Sequence, residues 1–105
     1  MFTTTFIFMA APASSKEHHA KLHYGKERML IYGVANLEEA AEVARHVVME
    51  ENCRIIELCG GFDDEATRVI KEAAGARTLV GHVVYASEDA ALVAEIVEEL
   101  KQLNL

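Results

Sequence analysis

A carboxylate and a thiol stand two residues apart in the run Ile55-Ile56-Glu57-Leu58-Cys59-Gly60-Gly61-Phe62, where an apolar stretch leads straight into a glycine turn and a helix start. Between Ile56 and Leu58 on a parallel strand, Glu57 is expected to be wholly or partly buried, and a buried carboxylate must be paired, hydrogen-bonded or protonated. Desolvation of that kind suits a general acid or base, which makes Glu57 the first catalytic candidate. The plainer alternative is a structural carboxylate that holds a loop amide or a subunit contact. Cys59 shares the expected strand side with Glu57. Beside the amides freed by Gly60 and Gly61 its thiolate could serve as a nucleophile. No base accompanies it in the sequence, and cysteine is often no more than a small buried hydrophobe. His82 and Tyr85, on the following strand, are the next candidates to line the same pocket. Three residues apart, they point to opposite sides of a regular strand, so at most one can join Glu57.

Two glycines before a helix suggest an anion cradle, because free amides and the helix dipole both attract negative charge. The neighbouring side chains argue against phosphate. Asp63, Asp64 and Glu65 open that helix, Glu38 and Glu39 the one before it, and Glu88 and Asp89 the last. All three helix starts should gather outside the carboxyl ends of the strands, where open α/β sheets bind ligands. The acids complement the helix dipoles, and together they favour a neutral or cationic small molecule held by Gly60, Gly61, His82, Tyr85 and His18. The segment after the first strand carries Lys16, His18, His19, Lys21 and His23 to that rim as a possible basic lid. His19 and His23 are one helical turn apart if the segment is helical, a metal pair that Glu57 or an acidic rim residue could complete. That spacing alone assigns no metal, and nothing in the sequence specifies a cofactor.

The elements that must position these residues follow from the patterning. Thr3 to Met9 is β-branched and aromatic and reads as a strand. Its flank, Phe2 to Ala13, ends in Ala11-Pro12-Ala13, but the threonines and the lack of a basic start set it apart from an export signal. Lys16 to Tyr24 is polar nearly all round and reads as a mobile loop or short helix. Arg28 to Val34 is a second strand. Asn36 and Glu39 form a capping box for a helix from Leu37 to about Glu50, with Ala40, Val43, Ala44, Val47 and Val48 inward. Arg54 to Cys59 is the third strand. Asp63 caps a second helix that runs to about Ala74 and turns Ala66, Val69, Ile70 and Ala73 inward. Thr78 to Tyr85 is the fourth strand. The last helix, Glu88 to Leu103, is expected to face the core with Leu92, Ile96, Val97, Leu100 and Leu103.

The expected fold is therefore a single α/β domain over residues 1–105, with the order β-loop-β-α-β-α-β-α and a small, mostly parallel four-stranded sheet. If every helix lies on one face, as in part of a β/α barrel, the other face must be covered by a second subunit. Flavodoxin-like packing would remove that need. The chain's 51% apolar residues supply a core, and its formal charge of -7 with no basic stripe excludes nucleic acid as a natural partner. No apolar run approaches the roughly 20 residues that span a bilayer. Cys53 and Cys59 flank a strand that would hold them about 20 Å apart, far beyond disulfide reach, so both read as free thiols of a cytoplasmic protein.

With the pattern laid out, the chain resembles a family of small bacterial proteins of about this length, known as a domain of unknown function. The likeness is carried by Phe6-Ile7-Phe8 with Lys16-Glu17-His18, by Val34 with Leu37-Glu38-Glu39-Ala40, and by Val80-Gly81 with Val84-Tyr85. Its most specific part is Glu57-Leu58-Cys59-Gly60-Gly61-Phe62. Asp63 and His82 depart from the family pattern, where a glycine and a small apolar residue are expected. The resemblance implies no activity. The functional expectation is a homo-oligomer that binds a small molecule near Glu57 and Cys59, with proton transfer by Glu57 as the chemistry on offer. The alternatives are a non-catalytic interaction module and a histidine-loop metal binder.

Overall fold

The computed structural model describes residues 1–103. The elements are β1 (Phe2–Met9), β2 (His19–Tyr24), β3 (Glu27–Val34), α1 (Leu37–Glu51), β4 (Ile55–Leu58), α2 (Asp64–Ala74), β5 (Leu79–His82) and α3 (Ala90–Leu103), the last preceded by a 3₁₀ turn over Ser87–Asp89. They form a mixed α/β fold around a five-stranded sheet of order β2-β3-β1-β4-β5. Strands β3, β1, β4 and β5 are parallel, and β2 runs antiparallel to β3. The expected count of four strands is corrected by β2. Lys16 to Tyr24 is neither a mobile loop nor a short helix over its second half, because Gly25 turns the chain at φ +61° and lets His19–Tyr24 pair with β3. Glycine at the first central position of a two-residue hairpin turn suits the twist of the flanking strands.

The strand amides and carbonyls explain why so polar a segment becomes a strand. β2 is exposed along its whole length, yet its register with β3 runs unbroken from His19 opposite Tyr32 to Tyr24 opposite Glu27. Edge pairing satisfies the backbone of β3 without asking for an apolar side chain on β2.

Helices α1 and α2 pack against each other and against one face of the sheet. That face contributes Thr3, Thr5 and Ile7 from β1, Leu30 from β3, and Ile56 and Leu58 from β4, all buried. Ala40, Val43, Ala44 and Val47 of α1 and Ile70 and Ala74 of α2 meet them, with Phe62 sealing the β4–α2 turn. Val69, expected inward, is 39% exposed because the apolar stripe of α2 centres on Ile70 and Ala74 instead. Asn52 takes the left-handed conformation that ends α1, at φ 53°, a role asparagine tolerates better than most side chains. The helices therefore cover one face, and the flavodoxin-like option of helices on both faces is not the one adopted.

The last helix departs furthest from expectation. α3 has no buried residue, and Leu92, Ile96, Val97, Leu100 and Leu103 are all exposed. Among the described residues its only substantial packing is with the 3₁₀ turn before it. The periodicity that predicts a core-facing stripe is real, but among the described residues Leu92, Ile96 and Val97 meet no extended surface of α1, α2 or the sheet.

Candidate functional site

Pairing register assigns each strand residue to a face, because parallel neighbours at the same level point the same way. Opposite the helices lie Phe2, Thr4, Phe6 and Phe8 of β1, Met29 and Ile31 of β3, Ile55 and Glu57 of β4, and Leu79 and Gly81 of β5. Ala20, Leu22 and Tyr24 of β2 extend the same face. Among the described residues no element covers it. Phe2, Leu22, Tyr24 and Leu79 are well exposed, and the more central side chains are half-buried.

Glu57 stands on this open face and is exposed in the single copy, which corrects the expected burial between Ile56 and Leu58. Those two neighbours turn to the helices, and the alternation of a strand sends Glu57 the other way. The proton-transfer role expected of it rested on burial that the isolated chain does not provide. Glu57 lines a groove of about 320 Å³ with Ile55, Leu79, Gly81 and Val83. Gly81 sits directly beside Glu57 in register, and a Cβ built there would meet nothing within 4 Å. A notch therefore opens next to the carboxylate. A second hollow of about 410 Å³ adjoins it toward the amino ends of the strands, lined by Phe2, Arg54, Ile55, Arg77 and Leu79 among others. Ile55 and Leu79 belong to both, so the two form one trough along β4 and β5.

Cys59 does not share that trough. It lies past the end of β4, packed against the core, and its sulfur accepts a hydrogen bond from the Met9 amide at 3.4 Å. That contact turns the thiol toward β1. His82, level with Leu58 at the end of β5, borders the groove that Glu57 lines, but its place in the register puts it on the helix side of the strand. Its Nε2 donates to Asp64 Oδ1 at 2.9 Å, and among the described residues its buried Nδ1 has no hydrogen-bond partner. A cysteine–histidine pair is thus not assembled here. Both cysteines are free, with Cys53 buried beneath the Thr5 hydroxyl at 3.1 Å.

Gly60 and Tyr85 are brought together, since a Cβ built at Gly60 would lie 3.2 Å from the Tyr85 ring. Tyr85 is beyond β5, which stops at His82, and it is 60% exposed. The chain leaving β5 is tied to the rim by Val83, whose amide donates to Leu58 O at 2.9 Å. Gly61 lies against the Cys59 sulfur, 3.4 Å from a built Cβ. The rim pieces therefore support one another more than they converge on an empty cleft.

His18 has a bracing role. Its Nδ1 accepts from the Ser14 amide at 3.0 Å, and its carbonyl accepts from the Gly33 amide at 2.7 Å, which pins the loop after β1 to β3. His19 and His23 lie on β2, four residues apart on a strand, hence about 13 Å apart rather than one helical turn. Among the described residues no group of three or more histidine, cysteine or acidic side chains is placed to hold a metal ion.

Glu39 is the residue whose role the sequence understates. Asn36 caps α1 by accepting from the Glu39 amide at 2.8 Å, but the other half of the expected capping box is absent. The Glu39 carboxylate instead accepts from the amides of Ala35 and Ser15 and from the Ser15 hydroxyl, each at 2.8 Å. The Ala35 amide first, then the two Ser15 donors, hold its pKa below the ordinary carboxylate value. This clasp closes the loop between β1 and β2 over the carboxyl end of the sheet, so the rim is partly occupied by the chain itself. Capping periodicity points to Glu39, but only the folded loop brings Ser15 to it.

The chain belongs to a family of unknown function (DUF6506), whose family model matches residues 2–98. No curated protein and no solved structure matches it. Among the described residues no helix is long and apolar enough to cross a membrane.

Proposed function

We propose that this chain is a homo-oligomeric binding module that works through the open face of its sheet. One observation carries the reading: a five-stranded sheet covered by helices on one side and lined on the other by Phe2, Phe6, Phe8, Met29, Ile31 and Leu79. Sheets of mostly parallel strands are normally covered on both faces, and an apolar expanse of this kind marks an interaction surface. The two free thiols agree with a reducing, cytoplasmic setting. Sedimentation of the full chain tests the reading directly. An assembly at micromolar concentration, reduced to monomer by Phe6→Lys with its helical content intact, is the expected result. A wild-type monomer at that concentration would refute it.

A second reading is favoured by the notch between Glu57 and Gly81: a small neutral or cationic molecule held by the one carboxylate in the trough. Thermal-shift screening against amines and quaternary ammonium compounds tests it. Stabilisation that disappears in Glu57→Gln supports a site there, and stabilisation that survives the change places the ligand elsewhere.

A further inference from the structure

Among the described residues, Leu92, Ile96 and Val97 of α3 have no seat on α1, α2 or the sheet, and the trough on the open face has no occupant. We propose that α3 of one copy lies along the β4–β5 trough of a second copy of this chain. The proposal rests on the homo-oligomeric reading and states how the open face is covered.

Length is the first match. The fourteen residues of α3 span about 21 Å at ~1.5 Å per residue. The trough runs from Arg77 to Val83, about 20 Å at ~3.3 Å per residue. Apolar chemistry is the second. Leu92, Ile96 and Val97 recur at helical spacing and are 51%, 45% and 43% exposed, while Ile55, Leu79 and Val83 offer the complementary floor. Charge is the third and it sets the direction. α3 carries Glu95, Glu98 and Glu99 against Lys101 alone, all after its uncharged opening stretch Ala90–Ala94. The amino end of the trough carries Arg54 and Arg77, both exposed. Running antiparallel to the strands, α3 brings the acidic stretch that follows Ala94 toward those two arginines. Glu95 and Glu99, one turn apart, border the apolar stripe on a single edge and are placed to face them.

The connection favours exchange between copies. Val83 is held by Leu58 and Tyr85 by Gly60, so the chain is anchored at the rim of its own sheet before the 3₁₀ turn and α3 begin. From there α3 leaves without meeting α1, α2 or the sheet in any extended contact. Exchange between two copies would turn two half-covered sheets into three-layer units, with Glu57 as an interface residue.

Co-expressed full-length variants Leu79→Cys and Ile96→Cys, treated with a mild thiol oxidant, provide the test. The expected result is a covalent dimer in the mixture and in neither variant alone, with wild type as the control for Cys53 and Cys59. Arg77→Glu should weaken association about tenfold, and Glu99→Arg in the same chain should restore it. A dimer by sedimentation that yields no such cross-link overturns the placement of α3 while leaving the oligomer standing. A monomeric wild type overturns both. A chain carrying both cysteines that closes on itself as a monomer shows α3 on its own trough and also overturns the exchange.

Discussion

Glu39 shows how a residue chosen for one local job is taken over by a longer-range one. Its three hydrogen bonds close the loop after β1, and its lowered pKa ties that closure to pH. A carboxylate depressed in the folded state stabilises fully above its ordinary value of 4.5, and the contribution fades as pH falls through the lower folded value. Glu39→Gln should therefore flatten the acid limb of a stability–pH curve. Solvent screening of a half-exposed group holds the loss near neutrality to about 1 kcal/mol. Denaturant titrations between mild acid and neutral pH would show it, and parallel curves for both proteins would contradict it. Gly33 is a second such position. A Cβ there would run into the Phe8 ring, so Gly33→Ala must push the ring off the sheet. A loss of about 1–3 kcal/mol is expected from that overpacking, read as a lower denaturation midpoint.

At the level of elements, β2 and α3 are where local pattern and outcome part. β2 has little apolar content and exists because Gly25 reverses the chain and β3 offers an unpaired edge. Gly25→Val places a β-branched residue at a positive φ, which costs about 1–2 kcal/mol. The expected signature is faster amide exchange across His19–Tyr24 with protection in β1 retained; uniform loss of protection would mean the hairpin is not a separate unit. α1 and α2 were readable nearly to the residue, through Asn36, Asp63 and the spacing of their alanines and branched side chains. α3 was equally readable as a helix, but a stripe at helical spacing states only that something apolar will be met. It does not state whose surface that will be.

For the whole molecule, the one-sided sheet has a thermodynamic consequence. A protein whose native form is an assembly gains stability with concentration, since association removes only folded chains from the unfolding equilibrium. The melting temperature should rise across a hundredfold increase in protein, and Ile96→Lys should abolish that slope without lowering the melting temperature of the dilute protein. A flat wild-type profile would count against assembly through this face. The trough, the notch at Gly81 and the arginines at its amino end come from three separated stretches of chain, and none of them is a site until β4 and β5 lie side by side.

Local order of types determined the helices, their caps, four of the strands and the placing of an unusual carboxylate on β4, because hydrophobic spacing and capping are properties of neighbours in sequence. Which way that carboxylate faces, its separation from Cys59, the opposite strand faces of Glu57 and His82, the pairing of the polar β2 and the isolation of α3 were decided only by the tertiary structure. They depend on strand register and on which surfaces compete for the same apolar groups, and that competition involves residues far apart in the chain.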